Sequence, residues 1–110
     1  MTEDKNLGLL SKLKIKNESV KTFILGRNRS LSLKTQYHYG LDLDFIQRHL
    51  DVSMLEATPD DIEALIVLFE GLGHTASTIK RRMASLSSFY DFYLKRGVIS
   101  RNPVKLVDLP

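Results

Sequence analysis

Residues 78–103 constrain the fold more than any other part of this chain. Their apolar side chains recur every three or four residues, which gathers them on one side of an α-helix; they are Ile79, Met83, Leu86, Tyr90, Tyr93 and Leu94. The opposite side carries cations and short side chains, with Arg81, Ala84, Ser88 and Lys95 turned outward and Lys80 and Ser87 on the flank. Gly97 ends the helix, and Asn102-Pro103 predicts an extended exit, because the residue before a proline avoids the helical region.

Three shorter helices are predicted before this one. The first covers residues 18–26, and the second starts with Ser32 as its N-cap and ends near Asp51. The third begins at Thr58-Pro59, a cap followed by a proline whose missing N–H is harmless there, and stops at residues 71–73. Thr75 or Ser77 caps the long helix. No segment alternates with period two, so we predict an all-α fold, a compact bundle of four main helices, with a short extra N-terminal helix left open.

The 110 residues suffice for one domain, and their charge is arranged in blocks. Residues 1–40 carry eight Lys and Arg against three acids, residues 41–70 one against eight, and residues 71–110 seven against two. Either the two basic blocks meet on one cationic face, or the charges are ordinary solvated surface. The absence of cysteine excludes disulfides and thiolate metal sites, and no apolar run is long enough to cross a bilayer. We therefore expect a cytoplasmic protein that does not enter a membrane.

The sequence contains no pattern typical of a catalytic, cofactor or metal site. It has no glycine-rich phosphate loop and no metal-binding pair at helical spacing. The carboxylate pair at 42 and 44 is explained by helix surface, and the pair at 60 and 61 by the positive start of the third helix. We interpret Tyr39, Tyr90 and Tyr93 as core residues rather than nucleophiles.

Two stretches combine a helix start, hydroxyl side chains and cations: residues 32–38 and residues 75–82. A helix start presents free N–H groups and a partial positive charge, so it favours a phosphate. Hydroxyls add hydrogen bonds, and Lys and Arg add long-range attraction to nucleic acid. We expect the two stretches to converge on one positively charged saddle.

At this point the residues resemble a known family. They run Ser32-x-x-Thr35-x-x-x-Tyr39-x-x-Asp42-Leu43-x-x-Ile46, then Thr58-Pro-Asp-Asp-Ile62, then Thr78-Ile-x-x-Arg82-Met-x-x-Leu86-x-x-Phe89-Tyr90-x-x-Tyr93-Leu94-x-x-Gly97-x-Ile99-x-x-Asn102-Pro103. Over about residues 18–110 this pattern is similar to the N-terminal core-binding domain of tyrosine recombinases, which include phage integrases. The final Thr-Ile to Asn-Pro part is the most specific.

The resemblance implies a small helical bundle, integrase N-terminal SAM-like, that forms one jaw of a C-shaped clamp on a recombination site. Its second and fourth helices would approach the major groove of double-stranded DNA. The DNA contacts it implies are Lys34, Thr35, His38, Ser77, Thr78, Lys80 and Arg81, with Ser85 and Ser88 as additions. The chain departs from the family at Ser87-Ser88, where relatives often carry arginines, and at Gly40.

The polar, lysine-rich residues 1–17 are expected to form a flexible or weakly helical arm. By the resemblance, residues 18–105 are the DNA-binding domain and 106–110 the start of a linker to a catalytic domain. We expect a non-catalytic domain whose parent cleaves DNA through a tyrosine, forming a 3′-phosphotyrosyl link without metal or nucleotide cofactor. Its partners would be DNA and the parent's own catalytic domain, with self-association on DNA left open. The alternative is a helical protein–protein interaction domain. A stand-alone enzyme would need a site that the sequence does not show.

Overall fold

Four α-helices and two short 3₁₀ helices make up the regular structure of the described residues, which are 17–27 and 31–110 of a computed structural model. The α-helices are α1 (Glu18–Gly26), α2 (Leu33–His49), α3 (Pro59–Gly71) and α4 (Ala76–Lys95). The 3₁₀ helices are Met54–Glu56 and Pro103–Leu106. These ranges contain no β-strand, which confirms the all-α bundle. The predicted arm, apart from Asn17, and residues 28–30, between the first two predicted helices, lie outside the described residues.

Local capping signals account for where the helices begin. Ser32 caps α2, and Thr75 rather than Ser77 caps α4. At α3 the Thr58 hydroxyl accepts from the Asp61 N–H while the Asp61 carboxylate accepts from the Thr58 N–H, a reciprocal capping box. α2 ends two residues before the predicted Asp51, because the chain becomes extended at Leu50 and then forms the 3₁₀ helix that contains Met54, which is fully buried.

α4 is the central helix and packs against each of the other three. From α1, the Phe23 ring lies 5.7 Å from Phe89 and 5.5 Å from Phe92, both edge to face. This contact widens the buried side of α4 beyond the stripe that the sequence predicts. Leu94, assigned to that stripe, is instead 36% exposed, because it lies on the other edge of the helix from the side that α1 covers.

Two buried tyrosines of α4 tie it to the backbone of other segments. The Tyr90 hydroxyl donates to the Met54 carbonyl at 2.6 Å, and the Tyr93 hydroxyl donates to the Ser19 carbonyl at 2.5 Å. Burial raises the pKa of both groups, so they stay neutral donors. The prediction that these tyrosines belong to the core is confirmed.

Asn102 fixes the exit of the chain from α4. Its side-chain amide donates to the Ser87 carbonyl and to the Asp91 carboxylate, each at 3.0 Å, and its oxygen accepts from the Val104 N–H at 3.0 Å. It thereby caps the 3₁₀ helix Pro103–Leu106. The predicted exit is extended at Asn102, forms one 3₁₀ turn in which Val104 is buried, and is extended again at Val107.

We expect Gly26→Ala to destabilise the fold, because a Cβ at this position would lie 2.6 Å from the Phe92 ring. Overpacking typically costs about 1–3 kcal/mol, against a gain of about 1 kcal/mol from replacing a helical glycine. The matched control is Gly71→Ala, also at a helix end, where a Cβ would meet nothing within 4 Å. The midpoint of urea denaturation should fall for Gly26→Ala and rise for Gly71→Ala. Equal stabilisation of both variants would contradict the packing argument.

Asp91 should make the domain sensitive to acid. Burial alone would raise its pKa, but the Asn102 amide and the Lys105 ammonium, 3.1 Å from Oδ1, outweigh it and hold the pKa below its usual range. A carboxyl whose pKa falls on folding adds stability above its unfolded pKa of about 3.9, and this is lost as pH falls through the folded pKa. Asp91→Asn should therefore lose less stability on acidification below about pH 4, measured by thermal unfolding. Parallel acid curves for the two proteins would contradict this assignment.

Candidate nucleic-acid interface

α2 and α4 begin with the same arrangement of hydroxyl groups. At α2 the Ser32 oxygen accepts from the Thr35 N–H at 3.1 Å, while the Ser32 hydroxyl donates to the Thr35 hydroxyl oxygen at 2.9 Å. At α4 Thr75 and Thr78 repeat both bonds, at 3.2 and 3.1 Å. Each cap uses one N–H of the first turn. The remaining N–H groups and the hydroxyl proton of the second residue in each pair suit an acceptor such as a phosphate oxygen.

The two helices pack side by side and run in opposite directions. The hydroxyls of Tyr39 in α2 and Ser88 in α4 lie 3.4 Å apart, whereas the later α2 residue Phe45 lies 4.0 Å from the guanidinium of the earlier α4 residue Arg82. Successive positions of α2 therefore meet successively earlier positions of α4. The start of each helix lies towards the end of the other.

The two hydroxyl-rich starts bracket a shared face instead of meeting. Thr35 lies seven residues before Asp42, and Thr78 lies seven residues before Ser85, which Asp42 contacts across the pair. At about 1.5 Å per residue, the starts lie about 10 Å from this contact in opposite directions, and so roughly 20 Å apart. The two stretches therefore lie at opposite ends of one face, because helix direction is set by packing and not by local sequence, and the single saddle stays a prediction.

A buried carboxylate stands between the two starts. Asp42 is 4% exposed, and its two oxygens accept from Arg81 Nη1 at 2.9 and 3.2 Å, while Ser85 donates to one of them at 2.8 Å. The Arg81 side chain is 54% exposed even so. The face therefore presents an exposed arginine, Arg81, whose guanidinium is positioned by the buried Asp42 carboxylate.

Ser85 differs from the other predicted contacts. It is 2% exposed and its hydroxyl is engaged by Asp42, so the structure gives it a role in helix packing instead of contact with an outside ligand. The sequence could place Ser85 on a side of α4, but it could not show that α2 covers that side. Ser88, the other added residue, is partly buried beside the Tyr39 hydroxyl.

The remaining predicted residues lie at or near the surface. Lys34 and His38 are exposed on the first turns of α2, and Ser77, Lys80 and Arg81 are exposed on the first turns of α4. Thr35 and Thr78 are partly buried in their caps. Along α4, Ser77, Arg81, Ala84 and Ser88 follow at helical spacing and form an outward stripe of mostly short side chains. Short side chains allow a close approach to a flat or convex ligand.

Arg82 is part of the pattern that resembles the family, but no role for it followed from the sequence. Its guanidinium lies 4.0 Å from the centre of the Phe45 ring and 5.6 Å from that of Phe69, and it donates to Nδ1 of His74 at 2.8 Å. Burial lowers its pKa, though arginine remains charged. This stacking joins α2, α3 and α4. Adjacent helix residues point about 100° apart, so the outward position of Arg81 could have indicated that Arg82 turns towards the neighbouring helices.

The acidic block of the chain falls largely outside this face. α3 carries the exposed acids Asp60, Glu63 and Glu70, and it packs across the core from the outward stripe of α4. Of the acids in α2, Asp42 pairs with Arg81, and Asp44 pairs with Arg48 one turn later. The outward side of the α2–α4 pair is therefore the more cationic one among the described residues.

Comparison with known proteins identifies the class to which this fold and surface belong. The chain matches the family described as phage integrase, N-terminal SAM-like domain, over residues 20–97, and it belongs to that family. It is similar to the tyrosine recombinase XerC of Roseiflexus castenholzii, with 31% identity over 86% of this chain and 32% of the relative. It is also similar to the tyrosine recombinases XerC of Vibrio vulnificus and Vibrio cholerae, with 36% and 34% identity over 78% of this chain and 28% and 29% of those relatives.

The chain thus spans about a third of the length of the curated relatives it matches. No solved structure shows significant similarity to it. Within the described ranges, none of the helices combines the length and apolar character needed to cross a membrane.

We expect Ser85→Ala to lower stability without affecting DNA affinity. It removes one buried hydrogen bond to Asp42, which typically costs about 1 kcal/mol. The control is Ser77→Ala on the exposed stripe, which should leave stability unchanged and weaken binding of a short DNA duplex. Chemical denaturation and a fluorescence titration distinguish the two variants. If the Ser85→Ala protein is fully folded but binds DNA more weakly, Ser85 is a DNA contact after all.

Proposed function

We propose that this chain is the DNA-binding domain of a site-specific tyrosine recombinase or integrase, which grips the core recombination site. The observation that carries the proposal is the α2–α4 face, where two hydroxyl caps with the same hydrogen-bond pattern and neighbouring cations bracket a stripe of short side chains. The similarity to tyrosine recombinases named XerC supports it.

The chemistry of the face suits the phosphate backbone of double-stranded DNA. Lys34 and Lys80 are exposed beside the two caps, so each helix start combines N–H groups, a hydroxyl and a cation. Such groups contact phosphates and fix the orientation of a protein on the duplex without reading its sequence. Salt should weaken this binding steeply, because cations that neutralise phosphates release counterions.

The spacing of the starts favours a footprint across a groove. The major groove of B-DNA is about 12 Å wide, less than the roughly 20 Å between the two helix starts. Each start would then contact one of the two backbones that border the groove. The side chains between them, His38, Ala84 and Ser88, would face the groove itself.

We further propose that residues 18–105 form the DNA-binding unit and that the following residues lead to the catalytic domain of a longer protein. That protein would cleave and rejoin strands through a tyrosine, by way of a 3′-phosphotyrosyl link. Its partners would be the recombination site, its own catalytic domain and other copies on the same DNA. Val107, two residues beyond this boundary, also packs against the core.

A second candidate function is a helical protein–protein interaction domain. The outer side of α3 favours it, because Val67 is 62% exposed and Leu72, the residue that ends the helix, is 56% exposed. A titration with short duplex DNA at low salt, followed by NMR, separates the two functions. Perturbation of residues 32–38 and 77–88 supports DNA binding, and a response confined to α3 with an added protein supports the alternative.

The principal prediction concerns Lys34→Ala, Lys80→Ala and Arg81→Ala. Each should weaken binding to duplex DNA and flatten the dependence of log K on log salt by up to about 0.9, the contribution of one phosphate contact. Affinity measured by fluorescence anisotropy at several salt concentrations provides the test. An unchanged slope for all three variants would count against the proposal.

Asp60→Ala is the control for this series. It removes an acid from the first turn of α3, away from the proposed face, and should cost about 0.3–1 kcal/mol of stability through the helix dipole. DNA binding should be unaffected. Loss of binding by a folded Asp60→Ala protein would contradict the location of the interface.

A further inference from the structure

A cleft of about 490 Å³ lies at the end of α4 opposite to its hydroxyl-capped start. Its lining consists of Gly26, Arg27, Asp91, Phe92, Lys95 and Arg96. Three of these six residues are cations and one is an acid. None of the three cations is among the DNA contacts that the family resemblance implied. We call this feature the basic cleft.

The ends of two helices bring these cations together. Arg27 directly follows α1, Lys95 is the last residue of α4, and Arg96 is its C-cap. Cations near a helix C-terminus interact favourably with the last carbonyl groups, which accounts for each of them separately. It does not account for cations from two different helices lining one cleft.

The acid in the basic cleft is largely engaged by other groups. Asp91 accepts from the Lys105 ammonium at 3.1 and 3.2 Å and from the Asn102 amide at 3.0 Å. The Arg96 guanidinium stacks on the Phe92 ring, 4.2 Å from its centre, which restricts where its N–H groups can lie. The basic cleft therefore has an excess of positive charge and one pre-positioned planar donor, a combination that suits a phosphate group.

Its position continues the proposed DNA-binding face. Lys95 follows Ser88 by seven residues and Ser77 by eighteen, which is five helical turns, so all three lie on the same outward side of α4. Because α2 runs against α4, the start of α2 with Lys34 also lies towards this end of the pair.

We propose that the basic cleft binds a backbone phosphate of the same DNA duplex. The proposal rests on the DNA-binding function above and deepens it. It gives the face a second cationic region at the α2 start, matching Lys80 and Arg81 at the α4 start. The two regions would hold the two backbones that border one major groove.

The test is Lys95→Ala, with Arg101→Ala as a charge-matched control. Both residues are exposed and each substitution removes one positive charge, but Arg101 lines a different cleft, beside Glu56 and Val98. With a 20-base-pair duplex, Lys95→Ala should bind several-fold more weakly and flatten the salt slope by up to about 0.9. Arg101→Ala should leave the slope unchanged. Arg96→Gln, which removes the charge but keeps a stem over Phe92, should behave like Lys95→Ala.

The outcomes separate this inference from the function on which it rests. Suppose that Lys80→Ala flattens the salt slope while Lys95→Ala and Arg96→Gln leave it as in the unaltered chain. The basic cleft is then not a DNA contact, although the domain binds DNA. Equal effects of Lys95→Ala and Arg101→Ala would also overturn the inference, because net charge alone would then explain them. No binding of the duplex by the unaltered chain at low salt would overturn both proposals.

Discussion

The buried carboxylate of Asp42 is the constraint on which the candidate interface depends. A charged group that solvent barely reaches is stable only with partners in good geometry, and its partners Arg81 and Ser85 both belong to α4. One pair of contacts thus fixes how far α2 is shifted along α4. That shift decides which side chains of α4 face outward and how far apart the two helix starts lie.

Arg82 complements this contact on the other side of α4. Where Asp42 fixes α2 through charge, Arg82 stacks on rings from α2 and α3 and donates a hydrogen bond to His74. Two adjacent arginines therefore perform different tasks. Arg81 stays at the surface with its charge partly balanced, and Arg82 holds three helices together. A substitution of Arg81 would change both the Asp42 contact and the exposed charge of the face, whereas a substitution of Arg82 would change the packing of the helices.

The distribution of charge agrees with a protein that approaches a polyanion from one side. The exposed acids of α3 lie across the core from the outward stripe of α4, and the acids within or beside the face are paired with cations. Electrostatic attraction would then orient the domain before contact, so that the α2–α4 face meets the duplex first. This is the orientation that the proposed DNA-binding function requires.

The sequence by itself determined the helices and their starts. Caps, prolines and glycines act within a few residues, so Ser32, Thr58 and Gly97 could be assigned without knowledge of the fold, and α1 was predicted with its observed bounds. The tertiary structure alone decided that Ser85 is buried, that Leu94 is exposed and that the two hydroxyl-rich starts lie apart. It also brought Arg27 to Lys95 and Arg96. Helical periodicity shows which residues share a side, but which neighbour covers that side depends on contacts between residues far apart in the chain.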